Sequence, residues 1–241
     1  MNIALLTAAG SGTRMGQDIP KQFMTIDECP VIVYTMQAFQ NHPQIDAIAV
    51  VCLKGWEVVL KAYANQYGIT KMKYIYPGGK SNFQSIHNGL RGLKNNGISD
   101  EDIVLIHDGV RPLVSENIIT KNIETCCKYG YATTGQFCKE VILEYNTEDK
   151  VVEYLPIPRE KLIRTQTPHT YKLGLILEAQ YKAIETGLIN TAASCQLVAQ
   201  IGINDQHLVI GSEKNGLKLT NVEDIELFKA LKHTSKTDWL K

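Results

Sequence analysis

This 241-residue sequence has no surplus of charge: 25 lysines and arginines face 25 aspartates and glutamates. A balanced chain has no overall basic field to draw it to nucleic acid or an anionic membrane, so any anionic ligand must be held by local placement of cations. No apolar run is long enough to span a bilayer, and the apolar start lacks the basic flank and small-residue cleavage pattern of a signal peptide. A cytoplasmic protein without nucleic-acid or membrane partners is expected. The six cysteines (Cys29, Cys52, Cys126, Cys127, Cys138, Cys195) include no CxxC, and the adjacent pair is poorly placed for a bridge or a shared metal, which predicts reduced, mostly buried thiols. Neither HxH nor HxxxH occurs among His42, His87, His107, His169, His207 and His233, which argues against a histidine metal centre. Linker-like low complexity and internal repeats are missing too, so residues 1–241 are expected to form one domain.

What is present is alternation. Isoleucine- and valine-rich runs and segments of helical spacing follow one another: IALLTAA, VIVYTMQAFQ, IDAIAVVC, WEVVLKAYANQY, MKYIYPGG, FQSIHNGLRGLKNN, DIVLIHDG, ENIITKNIETCCKYG. Strand and helix in turn predict right-handed crossovers and an α/β, Rossmann-like, mainly parallel sheet with helices on both faces. Ligands of such sheets sit beyond the carboxyl ends of the strands, which points to the loops after IALLTAA, MKYIY and DIVLI. The alternation breaks at about residues 136–160, where KEVILEY and KVVEYLP flank the polar turn NTED as an inserted β-hairpin arm. Apolar on both sides, this arm is expected to pack against something such as a second subunit. Then come TQTPHTY, read as a turn, the helices LGLILEAQYKAIETG and AASCQLVAQIG, the strand HLVIGS, the helix VEDIELFKALK and a frayed tail, HTSKTDWLK.

Three loops hold candidate chemistry. In TAAGSGTRMGQDIPKQF, glycines 10, 12 and 16 allow close backbone approach to an anion where a strand feeds a helix. The spacing resembles the dinucleotide fingerprint GxGxxG. Arg14 and Lys21, however, add two cations, and no acidic residue closes a second strand about twenty residues on, where a ribose partner would stand. An NAD-dependent oxidoreductase is therefore disfavoured. In IVLIHDGVRP, Asp108 ends a buried strand, placed either to bind Mg²⁺ on phosphate oxygens or to cap a helix with Arg111 as its partner. The third, YPGGKSNFQSIHNGL, is a glycine turn opening a helix, with Ser85 within reach of a base or ribose.

Together these loops resemble the cytidylyltransferases that join CTP to a polyol phosphate, a family that includes the 2-C-methyl-D-erythritol 4-phosphate enzyme of isoprenoid synthesis and the ribitol-5-phosphate enzyme of teichoic-acid and capsule synthesis. The resemblance covers essentially the whole chain: the AAGxGxRMG…PKQF opening, the GG…S turn, HDxxRP, the hairpin followed by Arg159 and QTP, and the late LKLT. It implies that Ala8, Ala9, Gly10 and Gly12 line the CTP pocket, with Gly79 and Ser85 meeting base and ribose. Arg14 and Lys21 match the pair that stabilises the phosphorus under attack, and Lys218 a further phosphate-contacting lysine. Asp108 matches the carboxylate associated with Mg²⁺ or another divalent cation and Arg111 its neighbouring substrate-site arginine. Arg159 and Thr167 match positions that hold the acceptor's phosphate, and the arm carrying Arg159 is implied to reach into the partner's site of a homodimer. The absence of a Ser, Cys or His nucleophile arrangement fits this chemistry, because an acceptor phosphate is already an ionised nucleophile and the barrier lies in uniting two polyanions.

Trp56, NNGISDEDIVLIHDGVRP and LPIPR resemble the ribitol branch, so ribitol 5-phosphate is the expected acceptor and methylerythritol phosphate the alternative. Three positions depart from both branches. Glu140 stands where the arm usually has threonine, and Ala193 where a late helix usually starts with aspartate. Asn82 stands where the second glycine turn usually has arginine. A reading of another class is a regulator that binds CTP without turnover; retention of Arg14, Lys21, Asp108 and Lys218 speaks against it.

Overall fold

A computed structural model describes residues 1–10, 19–154 and 156–233. Its sheet strands are β1 (Asn2–Ala8), β4 (Ala47–Cys52), β5 (Met72–Pro77), β6 (Ile103–Asp108), β7 (Tyr131–Phe137), β10 (Ile163–Lys172) and β11 (His207–Ile210). Two small ribbons lie apart from it, β2 (Thr25–Ile26) with β3 (Cys29–Pro30), and β8 (Leu143–Asn146) with β9 (Val151–Tyr154). The helices are α1 (Val31–Gln40), α2 (Glu57–Gln66), α3 (Asn82–Asn95), α4 (Glu116–Tyr129), α5 (Leu173–Thr186), α6 (Ser194–Gln200), α7 (Glu213–Gly216) and α8 (Val222–His233). The order across the seven-stranded sheet is β11-β7-β10-β6-β1-β4-β5. Six strands share one direction and β10 runs against its neighbours β6 and β7.

Each central strand is covered on both faces, which explains its unbroken apolar run. Ala4, Leu6 and Ala8 of β1 pack with Ile32, Met36 and Phe39 of α1, Leu60 of α2 and Ile119 of α4. Ile3 and Leu5 face the other way, onto Ile86 and Leu90 of α3, Ile176 of α5 and Leu197 of α6. Helix α3 sits close to the sheet because Gly89 faces it; a Cβ there would stand 2.8 Å from Leu5 Cδ1 and Val51 Cγ2. A third cluster joins Val110, just past β6, to Leu217, Leu219 and Phe228 of α8. Among the described residues no helix is long and apolar enough to cross a membrane.

The helices other than α7, which the sequence reading passes over, and the arm lie where the sequence places them, with β8 and β9 shorter than the runs KEVILEY and KVVEYLP. TQTPHTY is not a turn but the buried heart of β10. Pro168 has no N–H for a ladder, and the strand accommodates it at a register shift between Thr165 and His169. The sequence reading also passes over β7, YATTGQF, whose centre is polar. Thr134 is buried without being apolar: its hydroxyl donates to the Pro168 carbonyl at 2.7 Å and accepts from Asn122 Nδ2 at 2.8 Å. The tail from residue 234 onward lies outside the described residues.

Candidate active site

Asp108 is the last residue of β6. The next strand over is β1, and Gly109 N–H donates to Thr7 O at 2.9 Å, so the turn after β6 folds against the end of β1. Arg111, three residues on, turns back and donates from Nε to Asp108 Oδ2 at 2.8 Å. Its Nη1 donates to the carbonyl of Gly216. Lys218 Nζ stands 3.0 Å from the same Oδ2. Lys218 is brought there by its neighbours: Leu217 and Leu219 are buried in the third cluster, and Leu219 N–H donates to Val110 O at 2.9 Å. Burial pushes the Asp108 carboxyl up, but the charges of Lys218 and Arg111 outweigh it and hold the group well below the usual carboxylate range. The site therefore presents one ionised carboxylate beneath two cations. In the sequence this group looks either metal-binding or capping; its pairing with Lys218 is visible in neither reading.

Behind Asp108 lies His107, fully buried. Its Nε2 is 3.0 Å from the carbonyl of Arg111, which fixes the proton on that nitrogen. Its Nδ1 accordingly accepts from Thr167 Oγ1 at 3.0 Å, and the same Thr167 oxygen accepts from Asp108 N–H at 3.3 Å. Burial lowers the imidazole to about 4, so it is neutral near pH 7. The histidine is thus a core imidazole, and it locks Thr167 of β10 to the turn after β6. Thr167 O also accepts from Asn215 Nδ2 at 3.3 Å, and Asn215 binds Gln166 Oε1 at 3.0 Å.

Asp108, Arg111, Thr167 and Lys218 share a cavity of about 400 Å³ with Thr7, Asn82, Ala192, Ala193, Ser194 and His169. Two of the three departures meet in its wall: Asn82 Nδ2 donates to Ala192 O at 3.0 Å, next to Ala193. Where the resemblance implies arginine and aspartate, this wall is neutral. His169 and Ser194, joined at 3.0 Å between Nδ1 and Oγ, carried no sequence signal for the site because QTPHTY reads as a turn. The third departure, Glu140, is exposed on the arm. Arg159 is there too, its Nη1 3.3 Å from Lys139 O, and it lines a separate hollow with Phe137, Cys138, Lys139 and Glu160. Within one chain, then, Arg159 and Glu140 are not brought to the Asp108 cavity.

On the other side of β1, Ala9 shares a depression with Leu53 and Lys54 after β4 and with Gly78, Gly79 and Lys80 after β5. The fit at Gly78 is close, since a Cβ there would lie 2.4 Å from Ala9 Cβ. Ser85 is turned inward: it accepts from Gly79 N–H at 3.0 Å and donates to Ser81 O at 2.9 Å, so it braces the glycine turn. Ala8 and Gly10 are joined across the loop by Gln22, whose Nε2 donates to both carbonyls. Lys21 opens the short 3-10 turn that also carries Gln22 and Phe23, and Phe23 stacks on Trp56 with ring centroids 4.6 Å apart. Gly12, Arg14 and Gly16 lie outside the described residues. All six cysteines are free thiols. Among the described residues no group of three or more His, Cys, Asp or Glu side chains forms a self-sufficient metal centre.

The comparisons with known proteins point to one family and carry two acceptor names. The chain is 38% identical over 232 residues to a ribitol-5-phosphate cytidylyltransferase of Lacticaseibacillus paracasei, covering 95% of this chain and 97% of that one. It is 36% identical to a 2-C-methyl-D-erythritol 4-phosphate cytidylyltransferase of Clostridium acetobutylicum, with 93% and 94% covered. The crystal structure of 4-diphosphocytidyl-2C-methyl-D-erythritol synthase from Anaerococcus prevotii superposes with a TM-score of 0.80 at 26% identity, over 97% of this chain and 96% of that one. The family model described as IspD, 2-C-methyl-D-erythritol 4-phosphate cytidylyltransferase, matches residues 2–233, and the chain belongs to that family.

Proposed function

We propose that this single-domain enzyme, with its protruding arm, transfers CMP from CTP to a polyol phosphate, giving a CDP-polyol and pyrophosphate, with ribitol 5-phosphate as the acceptor. The observation that carries this reading is the set of Lys218 and Arg111 around the ionised Asp108, beside a cavity large enough for a small polyol phosphate. An acceptor phosphate oxygen attacks the α-phosphorus of CTP; that bond forms as the bond to the bridging oxygen breaks, and pyrophosphate leaves with the electron pair. Cations stabilise this step by holding two polyanions together and by meeting charge on the transferring group. Lys21 and Arg14 take that charge, while Lys218 and Arg111 serve the substrates next to Asp108. Ala8, Ala9, Gly10, Gly12 and Gly79, the last held by Ser85, cradle the nucleotide. Thr167 with Arg159 and Glu140 receives the acceptor.

Asp108 suits a divalent cation delivered with the triphosphate. Its Oδ1 has a hydroxyl contact from Thr7 at 3.5 Å, whereas both cations stand on Oδ2, and Mg²⁺ commonly takes one carboxylate together with substrate phosphates. Such an ion, when bound, would neutralise phosphate charge. The arm supports a homodimer in which Arg159 serves the partner's cavity: Val141, Val152 and Tyr154 are 81, 65 and 79% exposed, an apolar surface that a second copy would cover. Dependence on CTP suits a cytoplasmic enzyme.

The ribitol assignment draws on the names of relatives such as the Lacticaseibacillus protein; methylerythritol phosphate remains the second reading because the family model and the Clostridium relative carry that name. Pyrophosphate release from CTP and Mg²⁺, measured with each acceptor, decides between them. Turnover with ribitol 5-phosphate is expected. Turnover with methylerythritol phosphate alone overturns the assignment, and CTP binding without turnover on any acceptor makes the protein a regulator.

A further inference from the structure

We propose that Gln22 is a positioning residue: its carboxamide ties the turn that carries Lys21 to the loop after β1, and so sets where the Lys21 ammonium stands relative to bound nucleotide. Gln22 is 1% exposed, and its Nε2 donates to Ala8 O and Gly10 O, each at 2.9 Å. A primary amide carries two hydrogens on one nitrogen, and here both are spent on carbonyls that bracket Ala9. The rest of the turn is held by a bond of its own and by the Phe23 ring. Phe23 N–H donates to Pro20 O at 2.8 Å, and the Phe23 ring, 2% exposed, lies on Trp56 at 4.6 Å and 15°. Lys21 therefore springs from a turn anchored through Phe23 to Trp56, which caps the start of α2, and to the end of β1 and its loop through Gln22.

The end of β1 does not depend on Gln22 for its own attachment to the sheet, because Ala8 O also accepts from Leu53 N–H at 3.1 Å. Losing the carboxamide leaves that junction in place and frees the turn on its β1 side, with Phe23 still seated on Trp56. The effect should fall on the placement of the lysine, where a displacement of about 1 Å can cost about 10²-fold in rate. This inference rests on the proposed transition-state role of Lys21.

The test uses Gln22→Met, which keeps length and removes both donors, and Gln22→Glu, which keeps shape and presents an acceptor to two carbonyls. Each is made in the native background and with Lys21→Ala, and kcat, KM and the dissociation constant of CTP are measured. We expect Gln22→Met to lower kcat about 10- to 100-fold with little change in CTP affinity, and to cost nothing further once Lys21 is alanine, as for two residues acting as a unit. Gln22→Glu should regain activity as pH falls, because a protonated carboxyl restores one donor. Independently of turnover, Gln22→Met should speed amide exchange at Phe23. Equal losses in both backgrounds, or native kcat in Gln22→Met, overturn the inference. Native turnover in Lys21→Ala instead removes the reading on which it rests, and the two failures are told apart by that single variant.

Discussion

Asp108→Asn removes one negative charge and almost no volume, which makes it a clean probe of the ionic set at the end of β6. In the native protein Oδ2 accepts from Arg111 Nε at 2.8 Å, with the arginine side chain 12% exposed, and meets Lys218 at 3.0 Å, with the lysine 42% exposed. A charged hydrogen bond is worth about 1.5–3 kcal/mol and a half-exposed ion pair at most about 1 kcal/mol. Burial of the carboxylate opposes these gains, and the asparagine oxygen still accepts from Arg111, so a net loss of about 2 kcal/mol near pH 7 is expected. The loss has a pH signature. The folded carboxyl titrates below its unfolded value of about 3.9, so its contribution is complete above that pH. Below it, the difference between native and variant shrinks by up to about 1.4 kcal/mol per unit. Urea unfolding of both proteins without CTP, at one protein concentration from pH 3 to 7, measures this; taking the difference cancels the titrating groups remote from Asp108, while His107 and His169, whose imidazoles its charge raises, add their own difference above about pH 4. A variant as stable as the native protein at pH 7, or a deficit that does not shrink in acid, would refute the reasoning.

Three further outcomes follow from the packing. Thr134→Val leaves the Pro168 carbonyl and one hydrogen of Asn122 unpaired in the core, and should cost about 2–3 kcal/mol in urea unfolding. Leu219→Ala opens a cavity beside Lys218 and should cost about 2–5 kcal/mol, with kcat/KM falling as the lysine loosens; unchanged kinetics would show that the cluster does not hold it. His107 and His169 are lowered to about 4 by burial, so the unfolded chain takes up protons that the folded one refuses. Stability present above about pH 6.5 should drain towards pH 4 at up to about 1.4 kcal/mol per unit for each histidine, and a flat profile of unfolding free energy against pH would count against their neutral, buried state.

The half of the sheet from β6 to β5 is legible in the sequence because β1, β4 and β6 are buried on both faces and read as plain apolar runs. In the other half only β11, in the run HLVIGS, is legible. β7 is filled by threonines whose hydroxyls are paired inside the core, and β10 contains a proline at a register shift, so neither shows a strand's pattern. The same split applies to the site. Asp108, Arg111 and Lys21 sit in short local motifs, whereas the Asp108–Lys218 contact joins residues 110 positions apart and depends on Leu217 and Leu219 seating against Val110. Asn82 and Ala193 look like separate departures in one dimension and become a single neutral wall in three.

The arm leaves the sheet between two strands that pair directly: Phe137 is opposite Ile163, and Cys138 N–H donates to Leu162 O at 2.9 Å. Its ends are therefore clasped at the base, and the chain between them is an excursion that the sheet does not need for its own closure. Such a segment behaves as an exchangeable cassette: it can lengthen, shorten or change sequence with a slowly varying entropic cost and no slip in the ladder beneath it. Because the same cassette carries Glu140 and Arg159 together with the apolar surface, a change confined to it would, on the proposed reading, alter acceptor contacts and subunit pairing in one stroke and leave the sheet beneath untouched.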